Sequence, residues 1–161
     1  MFTVKITKVF VAIITMALMS FSASPYEAAE DTMITLRAGT PVSLTLNQSV
    51  NSQDVQIGNV VEFLVRSNVT VNGHVVIAAG SIAEGMVKNV VNTCPGGCEA
   101  KCSKLEIVVE TVQAVDGQRV FLRSIPLTVK GECCGRCNEP AVANLGITIS
   151  SRVQNDIKIN A

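Results

Sequence analysis

At 161 residues, with Trp absent, one Tyr and five Phe, the chain has room for one hydrophobic core, and its many Val, Ile and Thr residues favour strands over helices. Its 13 basic residues balance 13 acidic ones, and no basic run or Arg/Lys face stands out. That leaves no electrostatic footprint for nucleic acid.

Residues 1–24 have the order of a secretory signal. Lys5 and Lys8 form the positive end, an apolar stretch covers residues 9–19, and a small-residue exit, Phe21 apart, spans 20–24. The apolar stretch is short for a membrane span, so cleavage is expected and no stable span after it. No cysteine follows at once, so no lipoprotein anchor is expected there. Without Lys5 and Lys8 the net charge is about −2, which is unremarkable. Residues 25–31 read as a flexible polar lead-in, and residues 32–161 as one folded domain.

Gly39-Thr40-Pro41 turns the chain into a strand ending at Leu46, with Val42, Leu44 and Leu46 on one face. Residues 47–59 are polar, end in Ile57-Gly58-Asn59 and read as a loop; residues 60–66 are the next strand. Asn72-Gly73 supplies the positive φ angles of a type I′ turn, joining residues 69–71 to 74–77 as a tight hairpin. Ala79-Gly80-Ser81 then leads into a strand over residues 82–91.

The grammar repeats. Leu36-Arg37-Ala38-Gly39-Thr40 matches Ile77-Ala78-Ala79-Gly80-Ser81, and residues 146–157 align without gaps to residues 39–50. Each copy is one turn plus one strand, too short for a solenoid unit. Gly39 and Gly80 are expected to hold equivalent turns ahead of equivalent strands of one barrel. Residues 139–145 are the best helical candidate.

Residues 104–130 read as two strands around Asp116-Gly117. Leu105, Ile107 and Val109 are expected to face inward from the first, and Ile125, Leu127 and Val129 from the second. A strict two-residue turn would oppose Leu105 to Thr128. A three-residue turn with a Gly bulge opposes it to Val129 or Leu127, apolar against apolar.

All six cysteines flank this hairpin: Cys94, Cys98 and Cys102 before it, Cys133, Cys134 and Cys137 after it. In either register Cys102 stands level with residues 130–132 and Cys98 with 134–136, so the clusters form one site. Three chemistries fit it. Export and an even count favour disulfides, whose connectivity is open; bonds between the clusters, Cys102 to Cys133 first, close the longest loops. Zinc would take Cys94, Cys98, Cys134 and Cys137, leaving Cys102 and Cys133 to pair. Cys134-Gly135-Arg136-Cys137 also has thiol–disulfide exchange spacing, with Arg136 placed to lower a thiolate pKa, but outside a thioredoxin-like setting.

No catalytic constellation accompanies the cysteines. His74 is the only histidine and sits in a turn, with no Ser, Cys or Asp spaced to work with it. Asp54, Glu62, Glu84, Glu106, Glu110 and Asp116 are scattered singly, and no phosphate-binding Gly loop is present. No enzyme activity and no cofactor are expected, zinc being the alternative.

The Ala-Gly-Thr/Ser copies, the Ile57-Gly58-Asn59 loop and the Val71-Asn72-Gly73-His74-Val75-Val76-Ile77 and Asp116-Gly117 hairpins together resemble small exported bacterial β-barrel proteins. Over roughly residues 36–130 the same grammar is similar to the C-terminal barrel of TrbI-type conjugation and type IV secretion proteins. The chain lacks their Pro-rich linker and membrane anchor and carries cysteines where they have Gly-rich connections. The resemblance implies a fold and a compartment, and no catalytic residue. The expectation is therefore an all-β protein: a single small barrel of about 8–10 strands with a cysteine-rich end. Its expected role is a non-catalytic structural or binding module of the cell envelope, exported to the periplasm. The alternative is a metal-binding or thiol–disulfide protein. Another envelope protein is the expected kind of partner.

Overall fold

A computed structural model of the chain describes residues 32–92, 102–131 and 139–161. The expected signal, the lead-in and five of the six cysteines lie outside these residues. The described chain is all-β, with strands β1 (Met33–Leu36), β2 (Pro41–Leu46), β3 (Val50–Asn51), β4 (Val60–Val65), β5 (Val69–Val71), β6 (His74–Ile77) and β7 (Ile82–Val91). After these come β8 (Lys104–Gln113), β9 (Arg119–Ser124), β10 (Leu127–Lys130), β11 (Val142–Ala143), β12 (Thr148–Val153) and β13 (Ile157–Asn160).

Six strands, β2, β4, β7, β8, β9 and β12, close an antiparallel barrel in which neighbours in sequence are neighbours in space. The last of them pairs with β9 on one side and with β2 on the other, completing the ring. Closure leaves no free edge within the ring. Strand β10 adds to β8 beyond the point where β9 departs. The ring is smaller than 8–10 strands because the remaining strands pair among themselves as two-stranded ribbons: β1 with β13, β3 with β11, β5 with β6. Through the first of these, Met33 stands opposite Asn160, and the Ala161 amide donates to the Thr32 carbonyl at 3.2 Å.

Period-two alternation fills the interior. Val42, Leu44 and Leu46 of β2, Val61, Phe63 and Val65 of β4, and Leu105, Ile107 and Val109 of β8 are buried. Burying each such side chain is worth about 1.5–3 kcal/mol. Gly85 of β7 makes room for the largest of them. A Cβ there would stand 2.9 Å from the Phe63 ring and 2.9 Å from the Val108 carbonyl oxygen.

The sequence repeat is a repeated corner. Gly39, Gly80 and Gly146 have φ of 85°, 83° and 90°, a region open to glycine. Each donates its N–H to the carbonyl of the last residue of a neighbouring barrel strand: Val153, Val65 and Leu46, at 2.8, 2.8 and 2.9 Å. That terminal residue donates in return to the residue after the glycine, Thr40, Ser81 or Ile147. The residue before the glycine is held by a side chain three positions past the strand end. Ala38 donates to Asp156 Oδ1, Ala79 to Asn68 Oδ1 and Leu145 to Ser49 Oγ. Gly58, ahead of β4, makes the same backbone exchange with Val87, a fourth copy not visible in the sequence alignment. Copies 39–50 and 146–157 face each other across β2 and β12, with Ser43 opposite its counterpart Ser150. A local two-fold axis therefore runs through that pair.

At the Asp116 hairpin the Ala114 amide donates to the Gln118 carbonyl at 2.9 Å, enclosing three residues that end in Gly117 with φ of 82°. This is the expected three-residue turn, and Leu105 lies opposite Val129, one of the two expected pairings. Ile125 departs from expectation: it is 85% exposed, while Leu127 and Val129 are half-buried against the core. The reason is that Leu122–Ser124 leave β8 to pair with β12, so Ile125 and Pro126 bridge outward from β9 to β10. Ser124 spans the split; its Oγ accepts from the Val109 amide at 3.0 Å and donates to the Val109 carbonyl at 3.3 Å.

Residues 139–145 are not helical. Ala141 and Ala143 are buried and Val142 only half-buried, a strand alternation. Ser52, inside the expected 47–59 loop, fixes this segment by donating its N–H to the Ala141 carbonyl and accepting the Ala141 amide on Oγ. The neighbouring β3 lies in that loop too.

Candidate functional site

The described stretches that flank the two cysteine clusters end beside one another. Strand β8 begins with Lys104, opposite Val91 at the end of β7 and Lys130 at the end of β10. One residue further out, the Gly131 amide donates to the Ser103 carbonyl at 2.9 Å. The Ser103 hydroxyl, on a buried residue, donates to the Glu139 carbonyl at 2.8 Å. Gly131 is backed so closely by Glu139 and Pro140 that a Cβ would collide with their backbone. The stretches on either side of both clusters are thus held together by β-ladder and by one serine. Cys102 is half-buried and lies one residue before Ser103, at the edge of the described ladder. Cys94, Cys98, Cys133, Cys134 and Cys137 lie outside the described residues, and with them the zinc and exchange arrangements.

Above this end, Glu106 is held below the usual carboxylate range by a hydrogen bond from Lys104, with a second from the Asn89 side chain, against a smaller upward push from burial. It forms an ion pair with Lys104. Such surface pairs contribute little to stability. Their effect is to keep this end charged.

His74 is exposed at the β5–β6 turn, on a cleft of about 510 Å³ shared with Met33, Arg37 and Val71. A second cleft, about 400 Å³, opens where β9 leaves β8, lined by Val108, Glu110, Phe121, Arg123 and Gln154 among others. Glu110 is paired there with Lys88 at 2.6 Å. Among the described residues no group of three or more His, Cys, Asp or Glu side chains is placed to hold a metal.

Two charge arrangements escaped the sequence. Glu62 and Glu84 are not scattered but directly opposed on the outer face of β4 and β7. Arg123 and Arg152 are directly opposed on the outer face of β9 and β12, so a basic face does exist. Charge along the chain gives no sign of either; the pairing register of strands distant in sequence shows both. No protein-family model matches this chain, and no curated protein matches its sequence.

Proposed function

We propose that this chain is an exported, non-catalytic structural or binding module of the bacterial cell envelope, with one end of its barrel stapled by disulfides between the two cysteine clusters. The observation that carries the reading is the convergence of Ser103, Gly131 and Glu139, which puts the bases of both clusters side by side. A Cys102–Cys133 bond would close a loop of roughly 30 residues and contribute about 3–4 kcal/mol in the chain-entropy treatment, whereas a bond inside one cluster constrains little. Further support comes from the closed barrel, in keeping with the resemblance to exported TrbI-type barrels, and from a signal-like order in residues 1–24.

Peptide mapping of the protein from the envelope fraction under non-reducing conditions tests this, with metal analysis alongside. The expected result is an amino terminus lacking residues 1–24, no bound metal, and a cross-linked peptide pair containing Cys102 and Cys133. Cysteines bonded only within their own clusters would overturn the staple. Four reduced thiols with one zinc per chain would replace it with the site Cys94, Cys98, Cys134 and Cys137, and chelation would then loosen that end.

A further inference from the structure

Two like-charge pairs stand out on the barrel surface, Glu62 opposite Glu84 and Arg123 opposite Arg152. Charges of one sign set directly opposite each other across a ladder repel at close range. Glu62 has no ion-pair partner among the described residues, and Glu84 reaches only Arg119, at 3.6 Å. Arg123 likewise has no carboxylate partner, and Arg152 donates to the Gly39 carbonyl at 3.0 Å.

The acidic pair sits at the centre of an apolar frame, and the basic pair has apolar neighbours on one of its two strands. On the acidic seam, Val60 opposite Met86 lies to one side of Glu62–Glu84, and Leu64 opposite Ile82 to the other. Val60 is 60% exposed and Ile82 47%. On the basic seam, the outward residues of β9 run Arg119, Phe121 and Arg123, and Ile125 follows just past the strand; Phe121 is 59% exposed and Ile125 85%. Across from Phe121 stands Gln154, whose amide donates to the Phe121 carbonyl, and on the β12 side Arg152 lies between polar Ser150 and Gln154. Along β4, β7 and the β9 side of the basic seam the outward residues read apolar, charged, apolar, and the two seams carry opposite signs.

Their placement around the ring matters as much as their chemistry. The ring order β2, β4, β7, β8, β9, β12 puts the β4–β7 seam three steps from the β9–β12 seam, on the opposite side of the barrel. We infer that this chain associates head to tail with further copies of itself, the Arg123–Arg152 seam of one docking on the Glu62–Glu84 seam of the next. A two-fold dimer through either seam would set like charges together. A contact between opposite sides of the molecule is heterologous and, without closure into a ring, propagates as a linear array. The inference stands apart from the compartment and from the state of the cysteines. Each seam offers only a few side chains, less than the roughly 800 Å² per partner of a standard interface, so association belongs at about 0.1–1 mM protein. It also weakens with salt, since the charges are exposed.

Sedimentation velocity on the full chain, made in an exporting host and kept oxidised, tests this across that concentration range. The expected result is a sedimentation coefficient that rises with concentration past the dimer and falls back as salt is raised. Glu62→Arg and Arg123→Glu should each weaken self-association about tenfold or more, while an equimolar mixture of the two variants associates again through the seams left intact. Arg123→Gln serves as the second variant if Arg123→Glu fails to fold. A wild-type chain that stays monomeric throughout, a plateau at the dimer, or association unaffected by these substitutions overturns the proposal.

Discussion

Asp116 shows how one side chain ties distant parts of the chain together. Burial pushes its carboxyl pKa upward, but hydrogen bonds from the amides of Asn160 and Gln118, each at 3.0 Å, and from the Gln118 side chain outweigh that, and the net shift is downward. The β8–β9 turn is thereby fastened to β13. A carboxyl whose pKa is lower folded than unfolded stabilises the fold above its unfolded value, about 3.9, and that contribution is lost as pH falls through the folded value. Asp116→Asn puts an amide among three donors and should cost about 1–2 kcal/mol at pH 7. Denaturant unfolding at pH 7 and again near pH 3 checks this: the gap between wild type and variant should shrink at the lower pH. Ser151 presents the opposite case. Its hydroxyl is buried without a partner among the described residues, and nothing in the structure explains it.

The corner is the unit that recurs among the elements. Because Gly39 and Gly80 hold the same positive φ and donate to the same kind of strand end, Gly39→Val and Gly80→Val should each cost about 1 kcal/mol or more by thermal unfolding. Unchanged stability in both would deny the shared role. This unit was legible because glycine and the apolar alternation both leave marks in the sequence: residues 146–157 aligned to 39–50 by those marks alone. Gly58 was not legible as a copy, since its partner Val87 lies within the long β7 and the turn is capped from within, Asn59 Oδ1 accepting the Gln56 amide, rather than by a side chain past a strand end. Ile125 was misplaced for a related reason. Its alternation with Leu127 and Val129 is intact, but β9 changes partner just before it, and a change of partner leaves no periodic trace. The short apolar run Ala141-Val142-Ala143 suited a helix or a strand, and only its pairing with β3 decides.

For the whole molecule, the fold class followed from composition and alternation, while the size of the ring did not. Which strands close a barrel and which fold back as ribbons depends on corner geometry rather than on residue type. The pairing of Leu105 with Val129 was legible as apolar opposite apolar, while the cysteine site it leads to lies largely outside the described residues. The opposed glutamates and arginines were invisible because they belong to pairs of strands distant in sequence.

The ribbon of β1 and β13 brings Thr32 and Ala161 within one hydrogen bond of each other, and its Ile34, Leu36 and Ile159 are buried with the barrel core. The domain is consequently almost a ring in its covalent path as well as in its sheet, and where the polymer is cut matters little to which strands meet. A circular permutant of residues 32–161, joined through about three Gly or Ser residues and reopened between Asn72 and Gly73, should fold to the same barrel. Its circular dichroism should match the parent's, with a melting point lowered by no more than about 10 °C. A permutant that stays unfolded would mean that the order in which the strands are made, and not only their final neighbours, is needed to close the ring.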